Sequence, residues 1–432
     1  MHEVGAASRG DRERAGAGRP VWLLWLVALV MSAPAAGQAV RSYVPTAGEW
    51  ERRRPEQVGM DGSKLQEAIA FAQANESRSA RDLEEAHYQS FGREPFGDAV
   101  GPFKVRGPQS GIIVRNGYIV AEWGDVERVD MTFSVTKSFV STVVGLAYDR
   151  KLIRNVNDLV YAYMAPVLPA SPSMRDAERS VGPFGAPRPI DAFATEHNRK
   201  ITWDHLLRQV SDWEGTLWGK PEWADRPSGE AATWWTRERK APGSAYEYND
   251  TRVNVLALAA LNVWRRPLPD VLREYVMDPI GASPTWRWYG YDTSWIILDG
   301  KLVQSVSGGG HFGGGMFISA RDQARFGLLT LRNGRWGDRQ ILSEEWLRMA
   351  RTPTGAQQTY GFMNFFLNTN KARLASAPAS AWSHLGNGAN IIYCDPEHDL
   401  VIVARWLQSS AEDGLVQRVI ASIQTRTSSG GS

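Results

Sequence analysis

The feature that most constrains the fold is an apolar hairpin pattern followed closely by a long apolar segment. Residues 111–123 place Asn116-Gly117 between two apolar runs, which is the strongest short-range signal for a β-hairpin. Residues 134–150 are apolar almost all round, and a segment of this length favours a buried helix over a strand. The sequence therefore predicts a strand pair that leads into a buried helix.

Weaker patterns complete the prediction of a mixed α/β (α+β) fold. They predict, in chain order, an amphipathic helix at 61–76, a loop at 77–105, helical stretches such as 250–264, a helix that starts at Ser319, strands at 390–393 and 400–406, and a helix at 414–423. Early and late strands would form one antiparallel sheet lobe flanked by helices. A mostly helical lobe would be inserted between them.

The chain is also predicted to divide into functional segments. Arginines precede the apolar run 21–31 and small residues follow it, which is the layout of a signal peptide. The predicted segments are a signal peptide at 1–39, an N-terminal arm at 40–58, a main domain at 59–425 with a helical insertion at about 155–300, and a disordered tail at 426–432. A cleaved signal implies a periplasmic or secreted protein, whereas an uncleaved one would act as a membrane anchor.

Charge and histidine spacing argue against several kinds of partner. The formal net charge of +2 is negligible for 432 residues, so nothing indicates a nucleic-acid partner. The histidines His205, His311, His384 and His398 are scattered without metal-ligand spacing, so neither a metal nor another cofactor is expected. Residues 308–315 are glycine-rich but lack the Gly-Lys-Ser/Thr ending of a phosphate loop, and they are expected to allow a close backbone approach.

The cysteine and most of the tryptophans are expected to have structural roles. Cys394 is the single cysteine, so an intramolecular disulfide is ruled out. It lies in an apolar run and is expected to be a small buried side chain. The 18 tryptophans are concentrated between Trp203 and Trp295, where they could fill a core or line a cleft.

Ser134 and Lys137 form the first candidate catalytic pair. They stand three residues apart in Ser-Val-Thr-Lys, so on a helix both side chains share one face and can reach each other. An amine beside a hydroxyl suits a serine nucleophile, and a helix N-terminus supplies a positive dipole end and free N–H groups for an oxyanion. The alternative is a Lys137 that faces solvent, and the position directly after a hairpin favours catalysis.

Two later motifs carry the other candidates. Residues 242–250, Pro-Gly-Ser-Ala-Tyr-Glu-Tyr-Asn-Asp, are predicted to form a turn into a helix with Asp250 as its cap. Residues 384–386, His-Leu-Gly, precede the predicted strand at 390–393. In this order the three motifs resemble those of the class C beta-lactamase-like serine hydrolases, which include penicillin-binding esterases, D-amino-acid peptidases and aminohexanoate-oligomer hydrolases.

Three further blocks strengthen this resemblance. Residues 201–207 resemble the family's segment before its Thr-Ser-Gly-Leu, residues 313–322 its Gly-Gly-x-x-Ser-x-x-Asp element, and residues 395–397 its late hairpin. The resemblance covers roughly residues 55–425. Ordered motifs with matching blocks are more specific than a Ser-x-x-Lys spacing alone, and the related penicillin-recognising enzymes share that spacing with a different second motif.

The resemblance implies a role for each matching residue. Ser134 would be the nucleophile, Lys137 its activator and Tyr248 the proton shuttle, and the backbone N–H groups of Ser134 and Asn387 would form the oxyanion hole. The residues implied to bind the substrate are Asp250, His384, Leu385 and Gly386. Because one cation supplies too little stabilisation to ionise a tyrosine near pH 7, Lys137 and Tyr248 are expected to share a proton as a coupled pair.

Departures from the family pattern bear on the substrate. Asp250 stands where beta-lactamases use Asn, and His384-Leu385 stands where they use Lys-Thr. The change removes a fixed charge and a hydroxyl that hold a substrate carboxylate, so an ester or amide with a less anionic acyl part is expected. Below about pH 6.5 a protonated His384 would partly restore the cation. Residues 210–213, Val-Ser-Asp-Trp, replace Thr-Ser-Gly-Leu in a loop of unassigned role.

These residues predict an exported serine hydrolase that cleaves a small-molecule ester or amide through an acyl-enzyme at Ser134. One alternative is a penicillin-binding D,D-peptidase or a weak beta-lactamase. An alternative of another class is a non-catalytic module that keeps the fold to sense a ligand. The presence of Ser134, Lys137 and Tyr248 together argues against that last alternative.

Overall fold

The computed structural model describes residues 43–170 and 189–424. The predicted signal peptide or anchor at 1–39 and the tail at 426–432 lie outside these residues. Within the described ranges, none of the helices combines the length and the apolar character that a membrane span requires.

The described residues form short helices and mostly short strands. The helices are α1 (Gly62–Ala74), α2 (Leu83–Ser90), α3 (Thr136–Asp149), α4 (Trp203–Leu207), α5 (Asp250–Trp264), α6 (Leu268–Leu272), α7 (Ala320–Leu331), α8 (Glu344–Ala350) and α9 (Glu412–Ala421). The strands are β1 (Ser110–Arg115), β2 (Tyr118–Trp123), β3 (Asp130–Met131), β4 (Leu168–Pro169), β5 (Thr216–Leu217), β6 (Lys220–Pro221), β7 (Arg287–Leu298), β8 (Lys301–Val306), β9 (Gly315–Ile318), β10 (Arg335–Trp336), β11 (Arg339–Gln340), β12 (Phe366–Leu367), β13 (Trp382–Gly386), β14 (Asn390–Asp395) and β15 (Leu400–Arg405).

The main sheet joins the early and late parts of the chain, as the sequence predicts. Its six strands are antiparallel in the order β12-β13-β14-β15-β1-β2, and β1 pairs with β15 from Ser110 opposite Arg405 to Arg115 opposite Leu400. The hairpin of β1 and β2 turns at Asn116-Gly117, where Asn116 adopts a positive φ of 55°.

Both faces of the main sheet are buried. Ile112 of β1 faces a core that it shares with α3, α5 and α7, whereas its neighbour Ile113 faces a second core beneath α1 and α9. This explains why the strands appear in the sequence as continuous apolar runs without polar alternation. Cys394 is buried beside Gly327 of α7, which confirms its interpretation as a small core side chain.

The segment 155–300 is less helical than predicted. It contains α4, α5 and α6, but it also contains the twelve-residue strand β7, whose partners are β4, β8 and β9 in a second antiparallel sheet. The sequence Arg-Trp-Tyr-Gly-Tyr-Asp-Thr-Ser-Trp-Ile-Ile-Leu is rich in aromatic and β-branched residues, a composition that favours strands. Trp203, Trp213 and Trp288 are buried, so these tryptophans pack in the core.

The predicted loop at 77–105 contains a helix that the sequence pattern missed. In α2, Leu-Glu-Glu-Ala-His-Tyr-Gln-Ser, only Leu83 and His87 are buried, so the helix has almost no apolar stripe. The aspartate before it supplies the start signal, because the Asp82 side chain accepts hydrogen bonds from the N–H groups of Glu84 and Glu85.

Candidate active site

Ser134 lies in a tight turn at the entrance to the central helix. Residues Phe133–Val135 form a single 3₁₀ turn before α3, and Phe133 has a positive φ of 48°, which is strained for a bulky side chain. A Cβ atom at Gly309 would clash with the carbonyl oxygen of Phe133, and one at Gly386 would clash with that of Thr132. The glycine-rich segment therefore allows the close backbone approach that the sequence predicts.

The predicted catalytic triad comes together in space. Lys137 Nζ lies 2.7 Å from Ser134 Oγ, and Tyr248 lines the same cavity as Ser134. The ammonium of Lys137 also lies 5.1 Å from the centre of the Tyr248 ring. The Ser134 hydroxyl therefore contacts an amine, and the Tyr248 ring lies beside that amine.

Tyr248 is held in its neutral form. Burial raises the pKa of its hydroxyl, and the nearby Asp250 carboxylate raises that pKa further. The guanidinium of Arg226, 5.3 Å from the ring centre, lowers it but does not reverse the direction. This direction speaks against a free tyrosinate, and the proton-sharing pair with Lys137 remains a prediction.

Asp250 belongs to the machinery behind the nucleophile. It begins α5, and its carboxylate lies 2.7 Å from Lys137 Nζ and 2.9 Å from Arg226 Nη2. Burial alone would raise the pKa of Asp250, but these two cations and His311 hold it well below its ordinary range. The side chain is 1% exposed, so the implied contact with substrate is wrong, and Asp250 instead supplies a counter-charge to Lys137.

The start of α5 differs from the prediction by one residue. Asn249 is the N-cap, and its side chain accepts a hydrogen bond from the N–H of Arg252. Arg252 in turn donates to Asp212 at 2.7 Å. The unassigned loop at 210–213 therefore anchors the helix whose first residue is Asp250.

Glu94 and His311 extend this charged network. His311 places Nδ1 3.1 Å from Asp250 Oδ2 and Nε2 2.9 Å from Glu94 Oε2. Burial lowers the pKa of His311, but the two carboxylates outweigh burial and raise it above its ordinary value. No sequence pattern indicated this series of contacts, since Glu94, Asp250 and His311 are far apart along the chain.

Glu94, Asp225 and His311 also have the spacing of metal ligands, since their donor atoms lie within 4.8 Å of one another. Both ring nitrogens of His311 already contact carboxylates, and Arg226 Nη1 lies 2.7 Å from Asp225 Oδ1. Burial raises the pKa of Asp225, which favours a proton on that carboxyl. We therefore assign these residues to an ion-pair network.

The third motif requires a correction. His384 is fully buried, its Nδ1 lies 2.9 Å from Ser138 Oγ of α3, and its ring packs against Phe326 and Phe365. Burial lowers its pKa to about 3. The predictions that His384 contacts the substrate and supplies a cation below pH 6.5 are therefore wrong. Its side chain faces the core side of β13, a direction that the motif alone does not reveal.

Leu385 and Gly386 do line the catalytic cavity, together with Asn387. An unpredicted residue, Asn364, fixes this strand to the nucleophile. Its amide Nδ2 donates to the carbonyl oxygens of Ser134 at 2.6 Å and Leu385 at 2.8 Å. The oxyanion role of the Ser134 and Asn387 N–H groups remains a prediction.

The catalytic cavity has a volume of about 290 Å³. Its walls include Ser134, Tyr248 and the aromatic rings of Phe91, Phe133 and Phe366. The cations that reach it from the described chain, Arg226 and His311, are both paired with carboxylates. A substrate anion would therefore have to compete with acidic side chains for them.

A nucleophilic serine, an amine and a tyrosine at one cleft beside an antiparallel sheet define a serine-hydrolase type of site. The sequence profile of the Beta-lactamase family matches residues 113–418, so the chain belongs to that family. Members of this family are hydrolases, most of which act through a serine acyl-enzyme. The mixed α/β fold with antiparallel sheets agrees with this membership and with the predicted resemblance.

Several solved structures are similar to this chain at low sequence identity. A family VIII carboxylesterase is 16% identical with a TM-score of 0.50, and the alignment covers 84% of this chain and 98% of that one. A beta-lactamase from Mycobacterium bovis is 17% identical with a TM-score of 0.48, covering 73% and 95%. A D-stereospecific amidohydrolase from Streptomyces sp. is 15% identical with a TM-score of 0.47, covering 84% and 98%. No curated protein matches the sequence.

Proposed function

We propose that this protein hydrolyses a carboxylic ester or amide through an acyl-enzyme on Ser134. The observation that carries the proposal is the 2.7 Å contact between Lys137 Nζ and Ser134 Oγ, with the centre of the Tyr248 ring 5.1 Å from the same ammonium. A buried amine next to a serine hydroxyl at the floor of a cavity is the arrangement that activates a nucleophile.

The proposed reaction begins when Ser134 Oγ attacks the substrate carbonyl. In the reactive state the coupled pair holds one proton fewer, with Lys137 as the free amine and Tyr248 protonated, so the amine accepts the proton of Ser134. The N–H groups of Ser134 and Asn387 stabilise the oxyanion. Tyr248 then hands a proton to the leaving oxygen or nitrogen as its bond to the carbonyl carbon breaks. Water attacks the acyl-enzyme, the same pair takes a proton from it, and Ser134 is regenerated.

The Asp250 carboxylate has a positioning role in this proposal. Its contact with Lys137 holds the amine on the Ser134 side of the site. Its negative charge also keeps the proton of Tyr248 in place, because ionising a tyrosine beside a carboxylate is costly.

The cavity favours neutral substrates over anionic beta-lactams. A beta-lactam carboxylate is recognised best by a cation with a free hydrogen-bonding face. Here Arg226 is held by Asp225 and Asp250, and His384 is neutral and buried. A weak beta-lactamase or a D,D-peptidase would use the same nucleophile, Ser134. These alternatives therefore differ from the proposed function in their substrate and not in their mechanism.

The substrate class is tested by one panel on the purified wild type. We expect p-nitrophenyl esters to be turned over faster than nitrocefin at neutral pH, with a D-amino-acid amide as the third substrate. Faster turnover of nitrocefin would contradict the preference for neutral esters and amides. Reaction with none of the three, together with no labelling by a fluorophosphonate, would favour the non-catalytic module.

Export to the periplasm or the cell exterior is part of the proposal and depends only on the sequence pattern of residues 1–39. Fractionation of the producing cells and N-terminal sequencing of the mature protein test it. Cleavage after Ala35 or Ala39 is the expected result, and an intact N-terminus in the membrane fraction would indicate an anchor.

A further inference from the structure

A second cavity, which we call the α2 pocket, adjoins the catalytic cavity. Its volume is about 260 Å³, and the two cavities share Phe91, Phe133, His311 and Asn387 as lining residues. Because Phe133 directly precedes Ser134 in the sequence, the pocket opens within reach of a substrate bound at the nucleophile. A group attached to the reacting carbonyl or to its leaving group can therefore extend into it.

The lining of the α2 pocket indicates what kind of group fits. Leu83 and Ala86 of α2 form one side, and Phe133 and Trp406 contribute aromatic surface. Among the described residues that line it there is no aspartate, glutamate, lysine or arginine. The one candidate cation among these described residues, His311, is already held by Asp250 and Glu94. A charged group would therefore lose its hydration there without gaining a free partner, whereas an apolar group would gain buried surface.

The pocket wall is fixed in place by hydrogen bonds to the residues around α2. His87, on the buried face of the helix, donates from Nε2 to the Gly97 carbonyl at 2.6 Å. Arg106 donates to the carbonyl oxygens of Ser77 and Ser79 at 2.9 Å each, which holds the segment before the helix. The wall is therefore formed before substrate binds, so little ordering is needed to fill it.

We propose that the α2 pocket receives an uncharged, apolar group of the substrate and makes the enzyme selective for it. The inference rests on the proposed function, because it assigns a substrate class to the same site. It also assigns selectivity to residues outside the family match at 113–418, since α2 lies before it.

Two ester series test the proposal. We expect kcat/KM of the wild type to rise by up to about fourfold for each added methylene. In p-nitrophenyl acetate to hexanoate the acyl group grows, and in ethyl to hexyl acetate the alcohol grows. The series that shows the rise identifies which end of the substrate enters the pocket.

Variants of α2 provide the matched comparison. Ala86→Trp fills the pocket from a partly exposed helix position, and it should lower the ratio of long-chain to short-chain kcat/KM by at least about tenfold. Ala86→Leu should lower this ratio less, and it provides a second test if the larger tryptophan prevents folding. Glu84→Trp adds the same bulk on the exposed side of the helix and should leave the ratio within about twofold.

A binding measurement separates failure of this inference from failure of the proposed function. Calorimetric titration with 1-octanol measures binding without turnover. We expect the wild type and Glu84→Trp to bind octanol and Ala86→Trp not to bind it. This result would support the α2 pocket even if no ester is cleaved. Ester cleavage without any chain-length effect, or equal octanol binding by all variants, would overturn the α2 pocket and leave the proposed function intact.

Discussion

The two walls of the space formed by the catalytic cavity and the adjoining α2 pocket have opposite compositions. On one side, Lys137, Asp250 and Arg226 form a buried network of ion pairs around Tyr248. On the other side, α2 presents a surface without a single Asp, Glu, Lys or Arg among its described lining residues. The first wall belongs to the family match and the second precedes it. The comparison teaches that the chemistry and the selectivity of this site reside in different parts of the chain.

The largest expected effect concerns the charged wall. Ser134→Ala should lower kcat/KM by at least about a thousandfold for every ester, whatever its chain length, because the nucleophile is lost. The matched control is Ser141→Ala, which removes a buried hydroxyl of α3, the helix that follows Ser134, and this hydroxyl has no hydrogen-bond partner within the described chain. A loss in Ser134→Ala that depended on chain length, or a similar loss in Ser141→Ala, would contradict the division of roles.

Lys137→Ala and Tyr248→Phe should each lower kcat/KM by about a hundredfold or more. The double variant should lose much less than the product of the two separate losses. Both residues serve one proton transfer, so removing the second adds little once the first is gone. Steady-state kinetics of the two single variants and the double variant measure this. Tyr246→Phe changes a neighbouring tyrosine that does not line the cavity and serves as the control. Multiplicative losses would indicate independent structural roles.

Asp250→Asn should destabilise the protein by about 3 to 5 kcal/mol, because it leaves the buried ammonium of Lys137 without its counter-charge. Asp225→Asn is the matched change. Burial raises the pKa of Asp225 to about 6, so at pH 5 this carboxyl carries a proton and its replacement should cost about 1 kcal/mol. Urea unfolding of both variants at pH 5 gives the comparison, and equal costs would show that the two carboxyls share one charge state.

The smallest effect concerns His384, which lies behind the cavity. Its folded-state pKa of about 3 is below its ordinary value of 6.5, so between these values the unfolded chain binds the additional proton. Its contribution to stability is therefore complete above about pH 6.5 and falls by up to about 1.4 kcal/mol per pH unit below it. His384→Gln cannot titrate, so the difference in unfolding free energy between wild type and variant should change as pH falls from 7 to 5. A constant difference would mean that His384 titrates with the same pKa in the folded protein as in the unfolded chain.

The contrast between the two walls also explains what the sequence could predict. Ser134, Lys137 and Tyr248 lie in short motifs whose spacing is local, and the structure brings all three together. The hairpin at Asn116-Gly117 was predictable for the same reason. Patterns of this kind depend only on neighbours along the chain.

Other parts of the site depend on distant contacts and could not be predicted. His384 occupies the expected motif position, yet its side chain points into the core because of how β13 pairs with β14. Asn364 and His311 act through partners more than 20 residues away. The helix α2 buries only two of its side chains, so its sequence carries almost no helical periodicity.

The most direct test of the account is intact-mass spectrometry after treatment with a fluorophosphonate. The account predicts one added phosphonyl group per chain, located on Ser134 by peptide mapping and absent from Ser134→Ala. An adduct on another residue, or an unmodified chain under conditions that label a reference serine hydrolase, would contradict the claim that Ser134 is the nucleophile.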